Sequence, residues 1–315
     1  MRDEARGASV MDDHTRSTGG CFEGLCQPSP EGSDGVGEAP TAPLSIVRSG
    51  QASRLPRFGR IMIVAVVAVV VVLLAWFQPA ILLEAGDRVG YAICHQIPER
   101  SFYWAGRPLP LCARCTGTFL GVALGFGMIA WRRRVRCGKL PPFPVLLVMA
   151  TFLVIWALDG LNSYLTLFEH LPHLYEPRNL VRMATGMLNG LALSALVYPV
   201  FSLTVWAEPT GERSVENIRE LAIMLALAGA LVSLIWIGWF PLVYVLSLMS
   251  VLGALLLLLV VNTLIVVIAL RRENRAHRWR ELGLPAAIGV LITSAEIALM
   301  NALRAYLTSR LGLPF

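Results

Sequence analysis

Charge is what this chain has least of. Acidic and basic residues fill 15% of its 315 positions, where a soluble domain carries about a quarter. That shortage excludes an ordinary water-soluble globule. With 56% hydrophobic residues and a mean hydropathy of +0.62, it points instead to several helices in lipid. Cysteine is sparse too, and six residues fall short of a disulfide scaffold. No second C-x-x-C pair accompanies Cys112-Ala113-Arg114-Cys115, and Thr116 stands where c-type haem attachment requires histidine. The formal net charge of +6 does not call for nucleic acid, because membrane proteins gather Lys and Arg in cytoplasmic loops. The expected partner is the lipid bilayer, and the expected location is the cell membrane, crossed several times.

Residues 1–57 are rich in Gly, Ser, Pro and acidic groups and poor in aromatic and branched side chains. Such a segment buries too little apolar surface to offset its ordering entropy and reads as a disordered hydrophilic tail. It lacks the apolar core a secretory signal needs near its start. Cys21 and Cys26, with His14 upstream, read as free thiols, since no second ligand pair stands beside them. Arg54, Arg57 and Arg60 then collect just ahead of the first apolar run.

That run spans Ile61 to Phe77 and continues after Gln78-Pro79 through Ala80 to Leu83. Six more follow at about Cys115–Trp131, Phe143–Leu158, Met183–Trp206, Leu221–Phe240, Leu242–Leu270 and Leu284–Leu307. Each is of the order of the ~20 residues a membrane-spanning helix needs. The fold expected is all-α: a polytopic transmembrane bundle of about seven spans. It divides into the tail, a four-span core over 58–206, and a three-span part over 207–315 that could serve as a lid or a homo-oligomer surface. Only Pro241 punctuates the tract between the fifth and sixth spans.

Five positive charges lie between Arg132 and Lys139, and five arginines between Arg271 and Arg280. Both groups follow even-numbered spans, so the positive-inside rule places the N-terminus in and the C-terminus out. The connection from Glu208 to Glu220 falls inside as well, although its net charge is negative. The loop holding Cys94 and the loop from Asp159 to Arg182 then share the outer face, with Tyr103, Trp104 and Tyr175 suited to the interface.

Gly117, Gly121 and Gly125 recur every four residues in the second span, as do Gly186, Gly190 and Ser194 in the fourth. Two such small-residue ladders predict close packing of these helices, which would bring both outer loops to one spot. Pro199 is expected to bend the inner half of the fourth span, and Pro241 to set a tight turn.

Within Cys94–Gly121, Cys94, His95, Cys112 and Cys115 fall inside 22 residues. The C-x-x-C spacing lets two thiolates face one tetrahedral metal. Cys94 could add a third sulfur, with His95, His170 or His173 as the fourth ligand. Adjacent side chains diverge in extended backbone, so Cys94 and His95 could share an ion only across a special turn. The candidate ion is zinc or another soft transition metal. Thiol–disulfide chemistry is a second reading, since Cys115 opens a helix beside Arg114 and both favour a thiolate. Inert packing is the third.

Arg100, Arg114, Arg178 and Arg182 gather on the outer side, against the direction of the positive-inside bias. They could contact an anion or substrate, or pair with Glu99, Asp159 and Glu176. Glu296 is an acid near the middle of the last span, with Thr293 one turn before and Arg304 two turns after. At that depth it marks a functional site or an internal pair, so a transporter using Glu296 and the outer arginines is a further alternative. Cys137, in a basic inner loop, reads as a free thiol.

The strings C-H-Q-I-P-E-R-S-F and P-L-C-A-R-C-T-G-T-F-L-G resemble an uncharacterised prokaryotic family of predicted membrane proteins, a domain of unknown function numbered twenty eighty-five. D-G-L-N and R-N-L-V-R-M-A-T-G-M-L-N-G resemble its second block. The resemblance runs from about Cys94 to Pro199 and implies a small multi-span core that carries these cysteines. It implies no activity.

Overall fold

A computed structural model describes residues 79–311, apart from Ala105, Leu167, Glu169, His170, Leu171, His173 and Trp239. The tail with His14, Cys21 and Cys26, the run Ile61–Phe77, and the candidate ligands His170 and His173 lie outside the described residues.

Among the described residues seven α-helices follow in order: α1 (Pro79–Ile93), α2 (Ala113–Trp131), α3 (Phe143–Leu165), α4 (Asn179–Val205), α5 (Ile218–Ile237), α6 (Phe240–Ala269) and α7 (Gly283–Leu311). Six of them, α2 to α7, are long and apolar enough to cross a membrane. The fold is an all-α bundle, as the apolar runs predict. α1 carries on past Leu83 through Glu84, Asp87 and Arg88, and delivers the chain directly to Cys94.

α2 and α4 form the tightest seam. A Cβ on Gly117 would lie 2.1 Å from the carbonyl oxygen of Met183, and one on Gly190 would lie 1.9 Å from that of Thr118. Side chains there would push two backbones apart. Lipid offers helices no hydrophobic reward for associating, so this close approach is what holds the pair. α6 meets the other side of α2 in the same way, with Gly253 against the carbonyl of Phe119. One buried cluster runs through both halves of the bundle: Leu120 on α2, Met149 on α3, Met187 and Leu191 on α4, Met224 on α5 and Leu246 on α6.

Pro199 lies inside α4 and has no N–H to give the carbonyl of Ala195, one turn back. The buried hydroxyl of Ser214 donates to that oxygen at 2.7 Å. At the other end of the bundle Gly238 adopts a left-handed conformation (φ 73°) after α5. The turn therefore rests on this glycine, with Pro241 already in the first turn of α6.

The arginine-rich connections meet at one end. Strands β3 (Cys137–Lys139) and β4 (Thr210–Arg213) pair in parallel, Cys137 opposite Thr210. Arg136 donates to the carbonyl of His277 at 2.8 Å and stacks over Trp206 at 4.3 Å. Two acids of the 208–220 connection, Glu216 and Glu220, have partners here. Arg134 forks onto both oxygens of Glu220 at 3.0 and 2.8 Å and reaches Glu216 at 2.6 Å. A basic and an acidic connection neutralise each other, which accounts for the negative charge that sat oddly with the positive-inside pattern.

Candidate functional site

The opposite end holds the cysteines. Beyond Cys94 the chain makes a short 3₁₀ turn (Pro98–Arg100) and a two-residue-stranded hairpin, β1 (Tyr103–Trp104) and β2 (Arg107–Pro108). Gly106 turns that hairpin at φ 79°. The chain then returns through Pro110 to α2. A Cβ on Gly90 of α1 would lie 1.9 Å from the carbonyl of Pro110, so this glycine lets the returning strand lie on α1.

Cys94, His95 and Cys112 come together: one ligand atom from each lies within 4.8 Å of the others. The special turn that Cys94 and His95 require is provided by Gln96, whose φ of 49° is left-handed. A glutamine in that region is strained. It is held there by its amide, which donates to the carbonyls of Pro110 at 2.8 Å and Asp87 at 3.3 Å. Cys112 is the N-cap of α2, and its backbone N–H donates to the Cys94 sulfur at 3.3 Å.

Cys94 and Cys112 are buried, and Cys115 packs against them beside Leu111 and Val251. Cys115 falls outside the 4.8 Å trio but packs against the same buried cluster. The four described cysteines are free thiols, and Cys137 lies far off at the arginine-rich end. The thiols of Cys112 and Cys115, helped by the Cys112 N–H, hold the Cys94 thiol well below the usual thiol range against the opposing effect of burial. Partial burial pushes the His95 imidazole down, and Arg100, Arg114 and Arg182 add to this against the Cys94 charge. His95 therefore favours the neutral form that binds metals. Its Nδ1 accepts the N–H of Ile97 at 3.1 Å, so Nε2 carries the ring proton.

Arg304 of α7 was absent from the residues the sequence assigned to this loop. Its guanidinium takes the carbonyls of Tyr91 at 2.7 Å, Cys94 at 2.6 Å and His95 at 2.9 Å, and lies over the Tyr91 ring at 4.3 Å. It caps the end of α1, where carbonyls lack intrahelical partners. A cavity of about 280 Å³ lined by Tyr91, Cys94, His95, Met300 and Leu307 opens beside it. An arginine in an apolar last span was the available signal.

A second polar group adjoins the thiols where α2, α3 and α4 meet. Asp159 is buried, with Arg114 Nε at 3.1 Å and the Thr185 hydroxyl at 3.1 Å; Arg114 Nη2 and the Tyr175 hydroxyl also donate to it. Arg100 and Arg182 rest on neutral oxygens instead. Arg100 donates to the Ser163 carbonyl at 3.0 Å, and Arg182 to the Ser163 hydroxyl at 3.3 Å and to Asn179 at 3.0 Å. Asn179 in turn donates to the carbonyls of Glu99 and Ser101, each at 3.2 Å. The two loops thus share one spot. Arg178 is exposed at the N-cap of α4, outside these bonds.

Glu296 stands apart on α7. It accepts from Asn262 of α6 at 2.7 Å, and Asn262 also donates to Thr293 at 2.9 Å. Arg304, engaged at the end of α1, is not its partner.

The family model described as "Predicted membrane protein (DUF2085)" matches residues 94–196. An uncharacterized protein of Methanothermobacter thermautotrophicus is 34% identical over 105 residues, which are 33% of this chain and 83% of that relative. The chain belongs to the DUF2085 family. An uncharacterized protein of Methanocaldococcus jannaschii is 30% identical over 109 residues, covering 35% of this chain and 64% of its own length. No solved structure matches. The DUF2085 match opens on Cys94 itself and contains His95, Cys112, Cys115 and the Asp159 group, while Arg304, Asn262 and Glu296 lie beyond it.

Proposed function

We propose that this membrane protein binds a soft transition metal, zinc in type, through Cys94, His95 and Cys112, with Cys115 as the fourth ligand. The observation that carries the reading is the convergence of two sulfurs and one imidazole nitrogen within 4.8 Å. Bonds of about 2.3 Å to sulfur and about 2.0 Å to nitrogen put tetrahedral ligand atoms roughly 3.5–3.8 Å apart, so the trio needs to close by only about an ångström. The Cys112 N–H on the Cys94 sulfur is the kind of donor that supports a bound thiolate. Cys115, one turn along α2 and packed against the cluster of Cys94 and Cys112, suits the remaining corner. With four protein ligands such a site is closed and structural, fixing the loop to α2. The metal takes His95 only by exchanging the Ile97 hydrogen bond.

The positive-inside rule assigns the arginine-rich end to the cytoplasm and the metal site to the outer face. Elemental analysis of detergent-purified protein is the test. One zinc-class ion per chain is expected, and its loss in Cys94→Ser. Metal-free wild-type protein that takes up no added zinc would sink the reading. The proximity of Cys94 to Cys112 also favours a second reading, a disulfide between them. Protein without metal whose mass falls by two hydrogens on oxidation, and not in Cys94→Ser, would establish that one.

A further inference from the structure

The group around Ser163 holds more positive charge than its acid can neutralise. Arg100, Arg114 and Arg182 all bond to Ser163, which is 1% exposed. Asp159 is the carboxylate set among them, and both its oxygens are engaged: Tyr175 donates to Oδ1, and Arg114 and Thr185 to Oδ2. The neighbouring Cys112 and then Glu99, exposed at the rim, offset Arg100 in part. Arginine keeps its charge, so mutual repulsion among these guanidinium groups is relieved by an anion and not by deprotonation.

The donors for such an anion are present. Among the described residues, Arg114 Nη1, Arg182 Nη2 and the Nε and Nη1 of Arg100 make no hydrogen bond. α2 and α4 are 19 and 27 residues long, and both begin here. Their N-termini add two positive dipole ends and unpaired backbone N–H groups. Arg114 lies in the first turn of α2 and Arg182 in that of α4. We propose that Arg100, Arg114 and Arg182 form an oxyanion site for a phosphate group beside the cysteines, with Ser163 and Asp159 holding the guanidinium groups in place. Planar guanidinium forks suit a phosphate, which offers several acceptor oxygens in close array. The group could come from a free phosphate compound or from a lipid headgroup. The site depends on no metal.

The test is equilibrium dialysis of full-length protein in detergent against radiolabelled inorganic phosphate. In parallel, native mass spectrometry uses micelles doped with phosphatidic acid or phosphatidylcholine. Wild type should retain phosphate or phosphatidic acid but not phosphatidylcholine. Binding of inorganic phosphate identifies a soluble ligand, and binding of phosphatidic acid alone identifies the headgroup. Arg100→Gln and Arg182→Gln should each weaken binding about tenfold, as the loss of a charge-assisted bond implies. Arg100 is half-exposed, so its variant keeps the test open should the Arg182 variant fail to fold. Exposed Arg178→Gln should stay within about twofold of wild type, a change too small for a lost contact. Binding should persist in a Cys94→Ser, Cys112→Ser chain, which separates this site from the metal. Absence of both ligands, loss of binding in the cysteine variant, or equal binding by Arg100→Gln and wild type would overturn the proposal.

Discussion

The guanidinium of Arg304 on the last helix holds the carbonyl oxygen of Cys94 at 2.6 Å, 210 residues earlier in the chain. It grips three carbonyls at the end of α1, and the loop that brings Cys94 towards Cys112 starts from that anchor. Arg304→Gln should therefore loosen the cysteine loop without unravelling the bundle. Metal affinity is expected to fall about 10–100-fold, as when other supporting partners of a site are removed, while helical circular dichroism stays unchanged. Lys in its place restores the charge but not the fork, so rescue should be partial. A competitive zinc chelator titration reads both effects.

Glycine replacements along α4 and α2 separate packing from helix propensity. Gly190→Ala should cost about 1–3 kcal/mol, as overpacking does, because its methyl would meet the Thr118 carbonyl at 1.9 Å. Gly127 lies on the same helix as Gly117 with nothing within 4 Å of its would-be Cβ. Gly127→Ala should be neutral or stabilising by up to about 1 kcal/mol. Thermal unfolding in one detergent compares the two directly.

The Gly117–Gly125 and Gly186–Ser194 ladders were legible because their spacing encodes a helix face, and the structure interlocks those faces. The long apolar runs were legible for the same reason, since length and composition decide what spans a membrane. Other parts were hidden in principle. Arg304 binds backbone carbonyls, which every residue possesses, so no partner type marks it. Gln96 holds a left-handed turn that the sequence could demand but not locate. Gly86 and Gly90 did carry the four-residue spacing, but in a segment with few other signals. The pairing of Arg134 with Glu220 joins connections 86 residues apart, a separation at which sequence gives only the sign of each charge.

That pair makes a third prediction. Arg134 and Glu220 side chains are 10% and 5% exposed, whereas Glu216 is 64% exposed. Glu220→Ala leaves a buried guanidinium short of its main partner and should cost about 3–5 kcal/mol. Glu216→Ala, at the surface, should cost about 0–1 kcal/mol. Denaturant titration of the two variants distinguishes a buried pair from a solvated one.

Orientation can be read with single cysteines introduced at exposed positions of the two ends. Tyr103→Cys, beside the cysteine loop, should react with a membrane-impermeant thiol reagent in intact cells. Leu140→Cys, beside the arginine-rich connection, should react only after lysis. Both positions are exposed, at 54% and 42%. The reversed pattern would turn the bundle over and place the cysteine cluster inside.

X-ray absorption at the zinc edge tests the central claim most directly, because it reports the ligands themselves. Zinc-loaded wild-type protein should show a shell of three sulfurs at about 2.3 Å and one nitrogen at about 2.0 Å. Cys94→Ser should lose one sulfur from that shell. A shell of nitrogen and oxygen alone, with no sulfur in wild-type protein, would contradict the assignment of Cys94, Cys112 and Cys115 as a metal site.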